Sequence, residues 1–105
     1  MSILIDQNTR FLIQGITGKQ GTRSTIDMLV SNSKLVAGVT PGKGGQEVEG
    51  VPVYNSIKDA QEALGSSKKI DCSVVMVPPR FAKGAIVEAI EAGIKLINVI
   101  TENIP

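Results

Sequence analysis

Glycines at regular spacing give the clearest indication of chemistry in this sequence. Gly15, Gly18 and Gly21 directly follow a short apolar run. Glycines at such a position let the backbone approach a pyrophosphate, and a helix that begins there offers free amides and a partial positive charge. Thr17 and Lys19 add a hydroxyl and an ammonium group. The pattern predicts a phosphate-binding turn, with a turn that merely requires positive φ as the alternative.

A second charged candidate, Lys43, lies in the glycine-rich segment Thr40–Gly50. It occurs where a nicotinamide-binding domain usually has an acidic residue that holds the ribose diol. A lysine suits a ribose phosphate instead, which coenzyme A carries on its 3′ position and NADP on its 2′ position. Lys43 therefore favours a nucleotide with a ribose phosphate, and a solvated lysine on a loop is the alternative.

Other side chains with reactive groups receive structural interpretations. Cys72 and Met76 lie in an apolar strand pattern, so we expect a structural thiol and a core methionine. Glu88 and Glu91 occupy the polar side of a helix, where a solvated face is expected rather than an acid and base pair. The sequence contains no histidine. Without the commonest general base and zinc ligand, we predict neither a catalytic residue nor a metal site.

The candidate residues lie between alternating strands and helices. This alternation predicts a single α/β domain over residues 1–105, with a Rossmann-like parallel sheet and helices on both faces. The apolar content of 42% in 105 residues suffices for one core. The predicted strands are Arg10–Gln14, Lys34–Val39, Asp71–Val77 and Ile94–Ile100, with a short extended piece at Val51–Tyr54. The predicted helices are Lys19–Ser31, a second helix that follows Ser56 and runs to Leu64, and Pro79–Ala92.

Turn and cap residues set the expected helix boundaries. Ser56 with Asp59 predicts a capped start, Pro79 suits a first helical turn, and Gly65 and Gly93 suit helix ends. The apolar faces expected to be buried are Thr22, Ile26, Leu29 and Val30 in the first helix, and Ala82, Ala85, Ile86, Ala89 and Ile90 in the last.

Composition excludes several classes of function. Eleven Lys and Arg against ten Asp and Glu leave a net charge of +1, so no basic field favours nucleic acid. The longest apolar run, Ser73–Pro79, is too short for the ~20 residues that span a membrane. One cysteine and the lack of a leader predict an intracellular protein, in the cytoplasm of a prokaryote or in the mitochondrial matrix or a related organelle of a eukaryote.

Ligands of open α/β sheets bind beyond the carboxyl ends of the strands. The loops expected to converge there are Gly15–Gly21, Val39–Gly45, Val77–Phe81 and Ile100–Asn103. The sequence stops after a strand without a covering helix, which predicts part of a longer polypeptide. An exposed sheet edge beyond Ile100 would favour a homo-oligomer.

Five blocks of the sequence resemble the succinyl-CoA synthetase alpha subunit. The similarity extends over essentially the whole chain, and Thr40–Gly45 is its most specific part. The sequence departs from the family pattern at Arg23, after the third glycine, and at Arg80, after the third strand. Each of these arginines adds positive charge near the ligand or, alternatively, is a surface arginine. The blocks are Gln14–Gly21, Val36–Gly45, Gly50–Tyr54, Ala92–Ile97 and Ile100–Pro105.

The resemblance implies that this domain binds coenzyme A or an acyl-CoA. It implies contacts to the phosphates, to the nucleotide end, and along the adenine and pantetheine path. When the residues of the glycine turn are included, the predicted binding residues are Gly15, Thr17, Gly18, Lys19, Gln20, Val39, Lys43, Val77, Pro78, Ile100, Thr101 and Glu102.

In that family the full ligase, an enzyme of the tricarboxylic acid cycle, forms succinyl-CoA reversibly from succinate, coenzyme A and a nucleoside triphosphate. The resemblance implies a phosphohistidine in another domain and a beta subunit as partner, so this domain alone is not expected to complete the reaction. Two alternatives remain. One is an NADP-binding oxidoreductase or redox-sensor domain, and the other is a free-standing coenzyme A-binding interaction module.

Overall fold

A six-stranded sheet forms the centre of the molecule in the computed structural model, which describes residues 9–31, 34–65 and 69–100. The strand order is β3-β4-β2-β1-β5-β6, and every pairing is parallel except that of β3 with β4. The elements are β1 (Arg10–Gln14), α1 (Lys19–Val30), β2 (Lys34–Val39), β3 (Glu47–Val48), β4 (Val51–Tyr54), α2 (Ile57–Leu64), β5 (Cys72–Val75), α3 (Pro79–Glu91) and β6 (Leu96–Val99).

Strand β1 lies at the middle of the sheet and is buried on both faces. Ile13 is paired with Gly38 of β2 and with Val74 of β5, and both Leu12 and Ile13 are fully buried. A strand covered on both sides has no face that needs polar residues, which explains its continuous apolar run.

Helices cover both faces of the sheet. On one face, Ile13 and Ile16 belong to an apolar cluster against which Met28 of α1 packs. On the other face, Leu12 belongs to a second cluster that contains Ala60 of α2 and Ala89 of α3. The prediction of a Rossmann-like α/β fold with two covered faces is therefore confirmed.

The predicted helix boundaries agree with the structure to within a residue or two. The Ser56 hydroxyl accepts a hydrogen bond from the Asp59 amide at 3.1 Å, and Pro79 lies in the first turn of α3. Gly65 directly follows α2 and Gly93 directly follows the C-cap residue of α3, and both have the positive φ that favours glycine, 75° and 81°.

The predicted loop Thr40–Gly50 contains a strand that the sequence analysis missed. β3 pairs with β4 as a hairpin, Val48 opposite Val51, and the two turn residues Glu49 and Gly50 have φ of 50° and 85°. A two-residue hairpin turn of type I′ requires positive φ at both positions. The missing signal is the usual Asn or Asp at the first of them, where this chain has a glutamate.

The predicted buried face of α1 is wrong. Ile26 and Val30 are 44% and 82% exposed, and the buried residues of this helix are Gly21 and Thr25. Helix α1 approaches the turn after β1 so closely that only a glycine fits at position 21. This contact sets which side of the helix faces the sheet. Thr25 then faces the sheet and satisfies its hydroxyl by donating to the Gly21 carbonyl at 2.8 Å.

Smaller corrections concern the second half of the chain. Of the apolar positions predicted to be buried in α3, Ile90 is exposed, whereas Ala89 is fully buried. β5 and β6 are shorter than the predicted strands Asp71–Val77 and Ile94–Ile100, although the amides of Asp71 and Met76 still donate to Arg10 and Gln14 of β1.

Because Cys72 is buried in β5, we expect it to make the free energy of unfolding depend on pH in the alkaline range. Burial, with a smaller contribution from Asp71, raises the pKa of the thiol from 9.0 to about 11. The folded state then keeps its proton where the unfolded chain loses it, so this stabilisation is complete below pH 9 and is lost as the pH rises toward 11. We expect the free energy of unfolding to fall by about 1 kcal/mol between about pH 8 and about pH 10 from this group.

Urea unfolding of the wild type and of Cys72→Ala across this pH range measures the effect. All other side chains are common to both proteins, so the difference between the two curves isolates the thiol. Parallel curves would show that the thiol ionises equally in the folded and unfolded states.

Candidate functional site

A crevice lies where the carboxyl ends of β1, β2 and β5 meet. It opens into a largely apolar cavity of about 540 Å³, within the range of small-molecule sites. The turn after β1, the segment after β2 and the segment after β5 form its walls, and one side of α3 closes it. The lining residues include Gly15, Thr17, Gly18, Val39, Thr40, Pro41, Met76, Val77, Pro78, Phe81, Ala85 and Glu88.

The glycine turn at the crevice is closely packed. Gly15 has φ of 87° and donates its amide to the Val39 carbonyl at 2.7 Å. A Cβ on Gly15 would lie 2.9 Å from the Met76 carbonyl oxygen, and a Cβ on Gly21 would lie 2.6 Å from Ile16 Cα. Glycine at both positions lets β1, α1 and the segment after β5 approach one another.

The start of α1 presents free hydrogen-bond donors at the crevice. Gly18 is the N-cap residue and supplies no side-chain cap. The amides of Lys19 and Gln20 belong to the first helical turn, where no intrahelical acceptor is in reach. Together with the helix dipole and the exposed Lys19 ammonium, these donors favour a phosphate.

A second cavity of about 340 Å³ adjoins the first. The two share Gly18, Met76, Val77 and Pro78, and the smaller one extends past Lys19 and Gln20 to Ile100. The start of α1 therefore lies between two hollows, one on the β2 side of the crevice and one on the β6 side.

Two threonines join the glycine turn to the segment after β2. The Thr17 hydroxyl lies 3.1 Å from the Thr40 hydroxyl, and the Thr17 amide donates to the same Thr40 oxygen at 3.4 Å. Thr40 was not among the predicted binding residues, although it is part of the most specific sequence block. Its hydroxyl fixes the distance between two walls of the crevice.

Gln14 is a further residue that the sequence analysis missed. It is buried at the end of β1, where its amide nitrogen donates to the Ala85 carbonyl at 3.0 Å and its oxygen accepts from the Ser73 hydroxyl at 2.6 Å. These bonds tie β1 to β5 and α3 beneath the larger cavity. A polar residue that ends an otherwise buried strand was the available signal.

The prediction for Glu88 is wrong. Its carboxylate is half-buried, lines the larger cavity and accepts the Ile57 amide at 2.8 Å. A carboxylate at that position satisfies an orphan amide and interacts favourably with the positive end of α2. Glu91 is exposed, as predicted. Helical spacing alone placed both residues on one polar face and did not show that α2 begins beside α3.

Lys43 lies outside both cavities. It is exposed, in the segment that leaves the crevice after Thr40, and its amide donates to the Thr40 carbonyl at 3.0 Å. Arg80 is also exposed and lies over the Phe81 ring at 4.9 Å from the centroid, at the rim of the larger cavity, while Arg23 is exposed on α1.

The structure brings most of the predicted binding residues together. Thr101 and Glu102 lie outside the described residues, so their predicted roles stay predictions. The members that line at least one cavity are Gly15, Thr17, Gly18, Lys19, Gln20, Val39, Val77, Pro78 and Ile100.

Within residues 9–31, 34–65 and 69–100, His, Cys, Asp and Glu form no group of at least three that could hold a metal ion. Among the helices of these same ranges, none combines the length and the apolar character needed to cross a membrane.

Comparison with known proteins gives a consistent picture. The family described as "CoA binding domain" matches residues 6–103. The alpha subunit of an ADP-forming succinate–CoA ligase from Aquifex aeolicus is 49% identical over all 105 residues, which are 33% of its length. The malate–CoA ligase alpha subunit of Methylorubrum extorquens is 50% identical over 100% of this chain and 34% of its own. The chain thus spans about a third of the length of these relatives.

Two solved structures share the fold. A Rex-family repressor superimposes with a TM-score of 0.70 at 21% identity, covering 92% of this chain and 48% of that one. A conserved hypothetical protein from Pyrococcus furiosus gives a TM-score of 0.70 at 25% identity, covering 88% of this chain and 74% of its own. The likeness to the repressor shows the fold alone.

Proposed function

Because this chain belongs to the CoA-binding domain family, we propose that its crevice binds coenzyme A with the diphosphate at the start of α1. One observation carries this assignment. The uncapped first turn of α1 lies between two cavities, so an anionic group bound there would have room for an organic group on either side. Coenzyme A has this form, since its diphosphate separates adenosine from pantetheine.

The residues of the crevice suit the parts of coenzyme A. The amides of Lys19 and Gln20 and the hydroxyl of Thr17 would donate to phosphate oxygens. The larger cavity, lined by Val39 and Val77, would take the adenosine end, and the smaller would take the pantetheine. Apolar walls with a few placed donors are typical of such sites.

Lys43 would meet the 3′-phosphate, because it is exposed and closely follows Thr40 and Pro41, which line the cavity that would hold the adenosine. An ammonium group is a mobile point charge that pairs well with phosphate. Ile100, with Thr101 and Glu102 beyond it, would follow the pantetheine.

In the whole protein, we propose a ligase in which this domain holds coenzyme A for acyl transfer. The chain has no histidine to carry a phosphoryl group, so the chemistry would take place on a second domain and on a beta subunit. The relatives named for succinate and for malate resemble this chain to the same degree. The choice of carboxylic acid would therefore lie outside this domain.

Calorimetric titration of this protein with coenzyme A, NADP and NADH tests the proposal. We expect coenzyme A to bind at least about tenfold more tightly than either nicotinamide nucleotide, a difference of about 1.4 kcal/mol or more. Tighter binding of NADP would favour the oxidoreductase or redox-sensor alternative. Heat signals at the dilution level for coenzyme A would contradict the proposed site.

A further inference from the structure

One side-chain oxygen fixes the backbone on both sides of Lys43. Asn55, directly after β4, accepts through Oδ1 from the amide of Gly42 and from the amide of Gly44, each at 2.9 Å. An amide oxygen has two lone pairs and can accept both bonds at once. The residue between these two anchored amides is Lys43.

The packing around Asn55 fits this contact. A Cβ on Gly44 would lie 2.7 Å from Asn55 Nδ2, so only a glycine at position 44 lets the amide side chain come this close. The ends of the segment are held separately, since Thr40 donates to the Tyr54 carbonyl and Gly45 to the Val53 carbonyl, each at 3.0 Å. The Asn55 bonds hold the tip between these ends.

We propose that Asn55 is a positioning residue for Lys43, and through it a determinant of selectivity for ligands with a ribose phosphate. The inference rests on the proposed role of Lys43 at the 3′-phosphate of coenzyme A. A segment rich in glycine has a large conformational entropy to lose. Anchoring it before the ligand arrives lowers the cost of binding, and that gain applies only to a ligand whose phosphate Lys43 reaches.

The experiment compares affinities for coenzyme A and dephospho-coenzyme A by calorimetry. Asn55→Ala should weaken coenzyme A binding by about tenfold, the loss of two hydrogen bonds, and change dephospho-coenzyme A binding by less than about twofold. In Lys43→Ala, adding Asn55→Ala should produce little further loss, because residues that act as one unit are not additive. Ser56→Ala is the matched control, since it removes the neighbouring helix cap and should leave the selectivity ratio unchanged.

Amide hydrogen exchange supplies a test without ligand. The amides of Gly42 and Gly44 should exchange faster in Asn55→Ala and stay protected in Asn55→Asp, whose carboxylate keeps the acceptor in place. Equal exchange in Asn55→Ala and wild type would overturn the anchoring.

The outcomes separate the two proposals. If the wild type binds both ligands equally, the proposed role of Lys43 fails and this inference fails with it. If the wild type discriminates and Lys43→Ala does not, an unchanged ratio in Asn55→Ala overturns the positioning role alone.

Discussion

Replacing Gly21 with alanine should lower the free energy of unfolding by about 3 kcal/mol, near the upper end of what overpacking usually costs. The new Cβ would clash with the Gly15 carbonyl oxygen and lie 2.6 Å from Ile16 Cα. Both are backbone atoms of a turn held by the bond from Gly15 to Val39, so no side chain can rotate away. Relief requires α1 to move off the sheet.

Gly18→Ala is the matched control for this prediction. Its Cβ would come no closer than 3.6 Å to the Gly15 oxygen, and Gly18 has φ of −75°, which any residue adopts. A loss below about 1 kcal/mol is expected there, from the weaker N-cap. Urea denaturation measures both variants. Equal midpoints for the two would show that the turn tolerates a side chain at either glycine.

The close approach at Gly21 explains both a success and a failure of the sequence analysis. The spacing of Gly15, Gly18 and Gly21 predicted a turn after a strand and the start of a helix, because local backbone chemistry requires glycine there. The same spacing did not give the rotation of α1. That rotation depends on contact with the turn, so Thr25 is buried while the larger Ile26 is exposed.

The residues that sequence reasoning missed act over long distances along the chain. Gln14 contacts Ala85, Glu88 contacts Ile57, and Asn55 contacts Gly42 and Gly44. Each bond joins elements that meet only when the sheet is assembled, so no periodic pattern reports it. The parallel strands were predictable, because a sheet covered on both faces requires apolar runs wherever it lies in the chain, whereas the short antiparallel strand β3 carries no such run and was missed.

Lys43→Ala should weaken the binding of coenzyme A by roughly ten- to a hundredfold, the usual worth of a hydrogen bond to a charged group. Dephospho-coenzyme A lacks the phosphate that Lys43 would meet, so its affinity should stay within about twofold. The fold should be unaffected, because the side chain is exposed and its described hydrogen bonds, from the Lys43 amide and to the Lys43 carbonyl, belong to the backbone.

Calorimetry on the wild type, Lys43→Ala and Lys43→Arg with both ligands makes the measurement. Lys43→Arg keeps the positive charge and should retain most of the selectivity, which separates the charge from the shape of the side chain. Salt screens an exposed charge pair. Raising the salt concentration should therefore reduce the ratio of the affinities for coenzyme A and dephospho-coenzyme A in the wild type, and should change that ratio little in Lys43→Ala. If all three proteins prefer coenzyme A by the same factor, the 3′-phosphate is bound by another group, and the exposed Lys19 and Arg80 at the crevice become the next residues to replace.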